Sequence, residues 1–195
     1  MTKTKSKITE MSNPQNQRRY LTPTEIEALI AACRRDKNRV QSLRNRLLIV
    51  LAYHHGLRVS ELVSLEWTAL DLNIGNFHIT RKKNGIPSVH PLVADELRAL
   101  KQLHRQNLNA RFVFLSNRGA PMTRQNVNAL LIKLGRLAGL EVPVFPHALR
   151  HSTGYKLANQ GVDTRSLQQY LGHRNIQNTV IYTQLNANRF NGWWN

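Results

Sequence analysis

The most informative segment of this chain, residues 147–183, reads HALRHSTGYKLANQGVDTRSLQQYLGHRNIQNTVIYT. We interpret it as three helices, near residues 147–160, 164–171 and 177–185. The strings in it that carry chemistry are HALRH (147–151), LGHRN (171–175) and NTVIYTQ (178–184). Arginine, histidine and tyrosine in this pattern indicate a site that handles an anion.

Two strings further upstream complete the pattern, GLRVSEL (56–62) and RKKNG (81–85). The five residues that fit one chemical task are Arg58, Lys83, Arg150, His173 and Tyr182. Cationic side chains and a phenol, with almost no carboxylates nearby, describe a pocket for one phosphodiester and a tyrosine nucleophile. The combination predicts cutting and rejoining of DNA with neither a metal nor ATP.

Each residue type has a chemical reason to be present. Phosphodiester cleavage places extra negative charge on the non-bridging oxygens, and an arginine can clamp two of them without losing its own charge. A phenol has an ordinary pKa of about 10, so Tyr182 needs a positive field and a proton acceptor. His147 is the predicted acceptor or positioning base, with a buried structural histidine as the alternative. Tyr155 and Tyr170 are interpreted as ordinary packing residues.

Charge and its distribution predict the partner. The 195 residues carry a formal net charge of +17, and from residue 97 onward thirteen lysines and arginines face only two acids, Glu141 and Asp163. A surface so strongly of one sign predicts a nucleic-acid partner, with an anionic membrane surface as the competing interpretation. The sequence predicts no helix with a basic face opposite a Trp/Leu face, which disfavours the membrane.

Cysteine use and hydropathy predict the compartment. Cys33 is the only cysteine, so an intrachain disulfide is excluded and a reducing compartment is favoured. It follows Ile26 and Leu29 at helical spacing, which predicts a core position. No apolar stretch follows the N-terminal lysines, and the longest apolar run, residues 47–53, is too short to cross a bilayer. We therefore expect a cytoplasmic, nucleoid-associated protein without membrane contact.

The rest of the chain predicts a mainly α fold with a small antiparallel β-sheet (α+β). Thr22 and Glu25 form a predicted capping box around Pro23 at the start of the first helix. A second helix is expected over residues 40–55 and a third over 59–65, and further helices follow Pro91 and Thr123. The predicted strands, joined by turns of which the second lies at residues 83–85, cover residues 70–72, 77–81 and 88–90.

The five strings, in this order, resemble the catalytic domain of the tyrosine recombinase (phage integrase) family, a DNA breaking-rejoining fold shared with type IB topoisomerases. The similarity covers about residues 21–186, and Tyr182 follows His173 by nine residues as in the family. One string alone would be a weak indication, whereas five in order are a strong one. The resemblance implies that Arg58 and Arg150 clamp the scissile phosphate, that His173 donates to it, and that Tyr182 is the nucleophile.

The resemblance also implies a catalytic lysine and a supporting carboxylate. In the family a lysine on the β-hairpin turn protonates the departing 5′ oxygen. Lys83 matches that position better than Lys82, and since strand side chains alternate faces only one of them can reach the DNA. Glu61 resembles a supporting residue, with an ordinary helix-surface glutamate as the equal alternative. Neither cofactor nor metal is expected, because the i, i+4 pair of His147 and His151 lacks the glutamate of a zinc-binding HExxH string.

Domain organisation follows from the same resemblance. We expect a flexible basic arm at residues 1–20, the catalytic domain at 21–186, and a tail at 187–195 for contacts between protomers. The tail's expected anchors are Phe190, Trp193 and Trp194. The short chain resembles the fimbrial recombinases, which invert a promoter segment and so switch fimbrial expression in phase variation. The implied partners are double-stranded DNA with inverted repeats, a homotetramer of this chain, and DNA-bending accessory proteins.

Two other functions remain open on the sequence alone. A non-catalytic DNA-binding transcription regulator could keep the same fold and charge, but it would not need Tyr182 opposite two arginines. The other is related chemistry in a different role, as in the integrase of a mobile element or a relaxing topoisomerase.

Overall fold

The computed structural model of the protein describes residues 18–81 and 85–184. Within these ranges the chain is mostly helical, with one three-stranded sheet, which confirms the predicted fold class. The helices are α1 (Pro23–Ala32), α2 (Arg39–His54), α3 (Val59–Val63), α4 (Ala94–Gln106), α5 (Arg124–Leu137), α6 (Pro146–Asn159), α7 (Thr164–Leu171) and α8 (Gln177–Thr183). The strands are β1 (Leu70–Asp71), β2 (Asn76–Ile79) and β3 (Ser88–Pro91).

The start of α1 has the predicted capping box. The Thr22 hydroxyl accepts from the Glu25 backbone N–H at 3.3 Å, and the Glu25 carboxylate accepts from the Thr22 N–H at 2.7 Å. Cys33, just past the end of α1, is buried as predicted. The segment before α1 also contacts the domain, since Arg18 pairs with Glu25 and the Tyr20 ring lies 4.0 Å from that of Tyr155. Residues 1–17, most of the predicted arm, lie outside the described residues.

Helix α2 is the central element because residues 47–53 are buried on almost every side. It packs against α1, α4 and α6. The burial follows from the sequence, in which an unbroken apolar run replaces the one-sided stripe of a surface helix. The helix ends where Gly56 takes a φ of 57°, a left-handed conformation that suits glycine. The chain then turns into α3, and Arg58 stands at that turn.

A buried polar cluster fastens the sheet and α4 to the end of α2. Glu96 lies 2.7 Å from His54 Nδ1, and the Nδ1 atoms of His55 and His90 are 3.2 Å apart. The Tyr170 hydroxyl donates to the His54 carbonyl at 2.7 Å. Burial lowers the pKa of His90 to about 3, so this histidine stays neutral. The cluster therefore ties α4, β3 and α7 to the end of α2, the segment that precedes Arg58.

The sheet has the order β1-β2-β3 with antiparallel pairing throughout, as the sequence predicts. Phe77 pairs with His90, and the last pair of β2 and β3 is Ile79 with Ser88. The second strand, predicted over residues 77–81, thus begins one residue earlier and ends two residues earlier than expected. The predicted turn at residues 83–85 includes Lys83, which lies outside the described residues.

Helices α6, α7 and α8 contain most of residues 147–183, where the sequence predicts three helices. The predicted bounds agree closely, although α8 ends at Thr183 and residue 185 lies outside the described residues. Helix α6 packs against α2, α5, α7 and α8. A second, smaller core joins these last helices through Ala158, Leu167, Leu171 and Tyr182. Across residues 18–81 and 85–184, none of the helices combines the length and apolar character that spanning a membrane requires.

Gly172 closes the corner between α7 and α8. Its φ is 65°, and a Cβ there would lie 2.6 Å from Arg81 Cγ and 2.8 Å from the Ile86 carbonyl oxygen. Residues of the loop between β2 and β3 therefore approach this corner so closely that only glycine fits.

Gly172→Ala is expected to destabilise the protein more than Gly161→Ala. Both positions have positive φ, but a Cβ at Gly161 meets nothing within 4 Å, so that variant carries backbone strain of about 1 kcal/mol alone. At Gly172 the steric clash adds to the strain, for a loss of about 2–4 kcal/mol in the free energy of unfolding. Urea denaturation measures both, and equal losses would contradict the close packing at this corner.

Candidate active site

Arg150 lies on α6 at the centre of the site, 1% exposed. One terminal nitrogen donates to the Gly56 carbonyl and the other to the Leu171 carbonyl at 2.7 Å. It thereby joins the loop after α2 to the end of α7. Burial, followed by the charges of Arg58 and Arg81, lowers the pKa of Arg150 to about 9. Because like charges repel this guanidinium, a bound anion would be electrostatically favourable here.

Arg58 and Glu61 form a tight local pair at the start of α3. The Arg58 backbone N–H donates to one Glu61 oxygen at 2.8 Å, and its guanidinium donates to the other at 2.9 Å. The Arg58 side chain stays 25% exposed, whereas that of Glu61 is 4% exposed. Burial alone would raise the pKa of Glu61, but the Arg58 backbone hydrogen bond and the Arg81 charge outweigh it and hold this pKa below its usual value. Glu61 is therefore a buried, ionised support and not a helix-surface residue.

Arg81 is the buried cation that the sequence analysis missed. Its side chain is fully buried and donates to Glu61 at 3.1 Å and to the Tyr170 carbonyl at 2.5 Å. The signal was present in the sequence, since strand alternation places residue 81 on the same inward face as Phe77 and Ile79. Arg81 links the loop between β2 and β3 to α3 and to α7. It therefore joins the string at residues 56–62 to the end of α7, just before the string at residues 171–175.

Tyr182 lies on α8, 2% exposed, with its ring against α6. Its hydroxyl oxygen lies 2.9 Å from His151 Nδ1. A Cβ at Gly154 would lie 2.7 Å from the phenol ring, so the glycine makes the space that the ring fills. Burial raises the pKa of Tyr182 to about 12, although the Arg150 charge opposes it. The phenol is protonated in this arrangement.

His173 follows α7 and is 7% exposed. Its Nδ1 lies 2.9 Å from the Thr179 hydroxyl, which orients the ring. The ring is nearly parallel to that of Tyr182, with centroids 6.5 Å apart. Burial, then the charges of Arg150 and Arg58, lowers the pKa of His173 to about 3. The imidazole is neutral while no anion compensates the arginines, and a bound phosphate would favour its protonation.

His147 occupies the first turn of α6 and is exposed. Its ring meets the His151 ring edge-on, with centroids 4.3 Å apart. Partial desolvation, followed by the charges of Arg150 and Arg58, lowers the pKa of His147. The phenol of Tyr182 is instead hydrogen-bonded to His151. The sequence had suggested His151 only as half of a possible metal-binding pair. The role predicted for His147 stays a prediction.

An open cleft of about 610 Å³ runs along the arginine side of the site. Its lining includes Arg58, His173, Arg165 and Arg174. The buried Arg150 does not line the cleft, but its charge lowers the pKa of His173, which does. Lys83, the remaining predicted site residue, lies outside the described residues, although Gly85 on the far side of the same turn lines the cleft.

The site thus holds three arginines, Arg58, Arg81 and Arg150, whose mutual repulsion is opposed by the one carboxylate of Glu61. Such an excess of positive charge favours an anion in the cleft. Among the described residues, no three His, Cys, Asp or Glu side chains group closely enough to hold a metal ion.

Comparison with known proteins gives the class. Residues 19–189 match the phage integrase family, and the chain belongs to that family, the tyrosine site-specific recombinases, as the sequence motifs predict. It is 43% identical over 186 residues to the type 1 fimbriae regulatory protein FimE of Escherichia coli strain K12, and the match covers 92% of each chain. FimB of the same strain is 41% identical over 182 residues, 91% of this chain and 90% of FimB.

A solved structure supports the same fold. The crystal structure of XerA recombinase has a TM-score of 0.75 and 27% sequence identity, covering 90% of this chain and 63% of XerA. The chain therefore spans less than two thirds of XerA, and more than nine tenths of FimE.

Glu61→Gln is expected to lower the free energy of unfolding by about 3 kcal/mol at pH 7, because it leaves Arg81 buried with an uncompensated charge. The pKa of Glu61 is held below its usual value in the folded chain. The difference between wild type and variant is therefore complete above the unfolded pKa, about 4.3, and disappears as the pH falls through the lower folded pKa. Urea denaturation between pH 3 and pH 7 measures it.

Glu66→Gln is the matched control, since Glu66 pairs with Arg111 at 2.9 Å on the surface. This variant is expected to change stability little at any pH. A loss as large as that of Glu61→Gln would show that burial of the arginine is not the cause.

Proposed function

We propose that this chain is a site-specific DNA recombinase that cuts and rejoins DNA through a 3′-phosphotyrosyl intermediate. The observation that carries the proposal is that Arg58 and His173 line one cleft, with Arg150 buried close enough to lower the pKa of His173 and with the Tyr182 ring beside that of His173. After burial, the charge of Arg58 helps to lower the pKa of Arg150, and the charges of both arginines help to lower the pKa of His173, as expected of a site that favours an anion. The net charge of +17 extends the same preference over the whole chain.

The proposed chemistry assigns one task to each group. Arg58 and Arg150 hold the non-bridging oxygens of the scissile phosphate, where negative charge increases in the transition state. His173, protonated once the phosphate is bound, donates to the same group. The Tyr182 oxygen forms a bond to phosphorus while the bond to the 5′ oxygen breaks, and Lys83 gives that oxygen a proton. The resemblance assigns acceptance of the phenol proton to His147.

A phosphotyrosyl ester conserves the energy of the broken bond. A 5′ hydroxyl, from the same strand or from a partner duplex, can then attack it and release Tyr182 without ATP. Exchange between two duplexes needs four protomers, so we propose a homotetramer on DNA with two protomers active at a time. In this assembly residues 187–195 contact a neighbouring protomer, and residues 1–20 form a basic arm.

We propose inversion of a promoter segment between inverted repeats as the biological reaction. Its support is the similarity to FimE and FimB, whose names describe regulation of type 1 fimbriae, over nearly the whole of both proteins. DNA-bending proteins are the expected accessory partners, because two repeats of a short segment must be brought together against the stiffness of DNA. This activity places the protein at the nucleoid, in the cytoplasm.

Tyr182→Phe is expected to abolish the covalent protein–DNA adduct, because phenylalanine has no oxygen to attack phosphorus. The assay uses duplexes that carry candidate inverted repeats and are nicked beside the cleavage position. The short fragment with the free 5′ hydroxyl then diffuses away, so that the adduct accumulates. A metal chelator is present. Adduct formation is measured by denaturing gel electrophoresis. Tyr155→Phe is the matched control, since its ring packs on Tyr182 at 5.1 Å, and it should retain the adduct. Adduct from Tyr182→Phe, or none from the wild type on any duplex that it binds, would favour another nucleophile or a non-catalytic regulator.

Lys83→Ala is expected to slow adduct formation by about 10²–10⁴-fold on ordinary DNA, because the 5′ oxygen then leaves without a proton. Substitution of sulfur for that oxygen should remove most of the loss, since a thiolate is a stable leaving group. Lys82→Ala is the matched control and should show neither effect. If only Lys82→Ala slowed adduct formation, and sulfur at the 5′ position restored the rate, Lys82 would be the proton donor instead.

A further inference from the structure

We propose that Arg19 binds a backbone phosphate in the DNA that flanks the scissile phosphate, and that residues 18–21, here called the strap, hold it there. This contact rests on the proposed function and adds a DNA-binding residue to it. The sequence predicts only a flexible basic arm over residues 1–20, whereas residues 18 and 20 have defined contacts with the domain. These contacts determine where Arg19 lies.

The strap is attached to α6 on the C-terminal side of Arg19. Leu21 is 2% exposed, and its backbone N–H donates to the Ser152 hydroxyl oxygen at 2.7 Å. The Tyr20 ring lies against the Tyr155 ring, with centroids 4.0 Å apart. A buried leucine, a buried hydrogen bond and an aromatic pair therefore fix the backbone that follows Arg19.

Arg18 attaches the strap on the other side of Arg19. Its guanidinium donates to the Glu25 carboxylate at 2.5 Å and lies 5.4 Å from the centre of the Tyr20 ring. The charge of Arg18 is thus compensated within the protein. Arg19 is exposed, and among residues 18–81 and 85–184 no carboxylate pairs with it. Of two neighbouring arginines, one therefore fastens the strap and the other keeps its charge for a partner.

The strap places Arg19 beside the second turn of α6. Its anchor Ser152 directly follows His151 in the chain. Burial, then the charges of His147, Arg150 and Arg19, lower the pKa of His151 to about 4. The charge of Arg19 therefore reaches this histidine, which agrees with the position that the hydrogen bond and the aromatic pair give to the strap.

Arg19 extends the positive side of the site beyond the cleft. Arg58 lines the cleft, and after burial and the charge of Arg150 its charge helps to lower the pKa of the exposed His147. The His147 ring meets the His151 ring with centroids 4.3 Å apart. Arg58, His147 and Arg19 therefore follow one another along one side of the domain. A duplex with one phosphate at Arg58 carries further phosphates along this side, and a guanidinium is suited to bind one of them.

Arg19→Ala is expected to weaken duplex binding about tenfold at about 0.1 M salt, because one charge-assisted contact with phosphate is lost. The slope of log affinity against log salt concentration should become shallower by about 0.9, which corresponds to one phosphate contact. Arg19→Lys should keep the slope and part of the affinity, since lysine keeps the charge without the planar set of donors. Each protein also carries Tyr182→Phe, so that cleavage does not obscure binding, and fluorescence anisotropy measures the affinity.

Arg98→Ala is the matched control for the loss of one positive charge. Arg98 is exposed on α4, and its guanidinium pairs with Asp95. This variant should change the affinity less than about twofold and should leave the salt slope in place. Equal losses from Arg98→Ala and Arg19→Ala would show that net charge, and not the position of Arg19, is responsible. The proposal would then be wrong.

Neutral methylphosphonates, placed one at a time around the cleavage position, locate the contact. Successive phosphates of one strand lie about 3.4 Å apart along the axis, so we expect the phosphate of Arg19 within about five nucleotides of that position. There a methylphosphonate should weaken binding about tenfold when Arg19 is present and less than about twofold in Arg19→Ala, since both changes remove the same contact. At other positions the two proteins should lose affinity equally. Additive losses at every position would overturn the proposal.

Tyr20→Ala tests whether the strap is needed. The variant keeps Arg19 but removes the ring that lies against Tyr155, so the guanidinium is no longer held in place before DNA binds. We expect a loss of affinity of about threefold or more, and a double variant with Arg19→Ala should bind no more weakly than Arg19→Ala alone. Losses that multiply in the double variant, or unchanged affinity in Tyr20→Ala, would show that the strap does not act through Arg19.

The contact and the proposed function can fail separately. If the wild type forms the adduct and Arg19→Ala keeps its affinity and salt slope, the recombinase function stands and the contact is wrong. If the wild type binds duplexes without forming an adduct, the proposed function is wrong. The salt slope of Arg19→Ala still decides in that case whether Arg19 binds a phosphate.

Discussion

Arg150 donates to the carbonyls of Gly56 and Leu171, which lie 94 and 21 residues away in the sequence. One side chain thus holds together the turn that carries Arg58 and the corner that carries His173. Carbonyl oxygens are suited to this task, because they satisfy a buried guanidinium without cancelling its charge. A carboxylate in their place would hold the loops as firmly and remove the attraction for phosphate. The architecture of the site depends on that distinction, whereas the charge of Arg81 is compensated by the Glu61 carboxylate at 3.1 Å.

The elements whose shape is set locally could be predicted from the sequence. The capping box at Thr22, the buried run of α2 and the order of the three strands each follow from neighbouring residues, and the structure contains all of them. The strings around Arg58, Arg150, His173 and Tyr182 indicated one site, and the structure brings their side chains to one region. The strand predicted to reach residue 81 stops at Ile79, although Arg81 keeps the inward direction of the strand pattern and contacts α7.

The site residues that sequence reasoning missed are those whose role arises from packing between distant segments. Arg81 meets Tyr170 across 89 positions and His151 meets Tyr182 across 31. Nothing local distinguishes a strand arginine that faces inward from one that faces water, apart from alternation. Likewise, HALRH contains two histidines one turn apart, and only the position of the Tyr182 ring against Gly154 shows which of them the phenol meets. Such residues are found once the long-range contacts are known.

The crowding of three guanidiniums around Glu61 has a consequence for how salt acts on binding. Dissolved ions shield charges that water reaches, over about 8 Å at physiological ionic strength, but they shield buried charges far less. Contacts of exposed lysines and arginines with the flanking backbone should therefore weaken steeply as salt rises, whereas the attraction between the recessed Arg150 and one phosphate should persist. As the ionic strength rises, the protein would then dissociate from non-specific DNA before it dissociates from DNA whose phosphate is held by Arg150. Burial of the arginine lowers stability in the empty site. It would in this way increase the difference in affinity between non-specific DNA and the cleavage site at physiological salt.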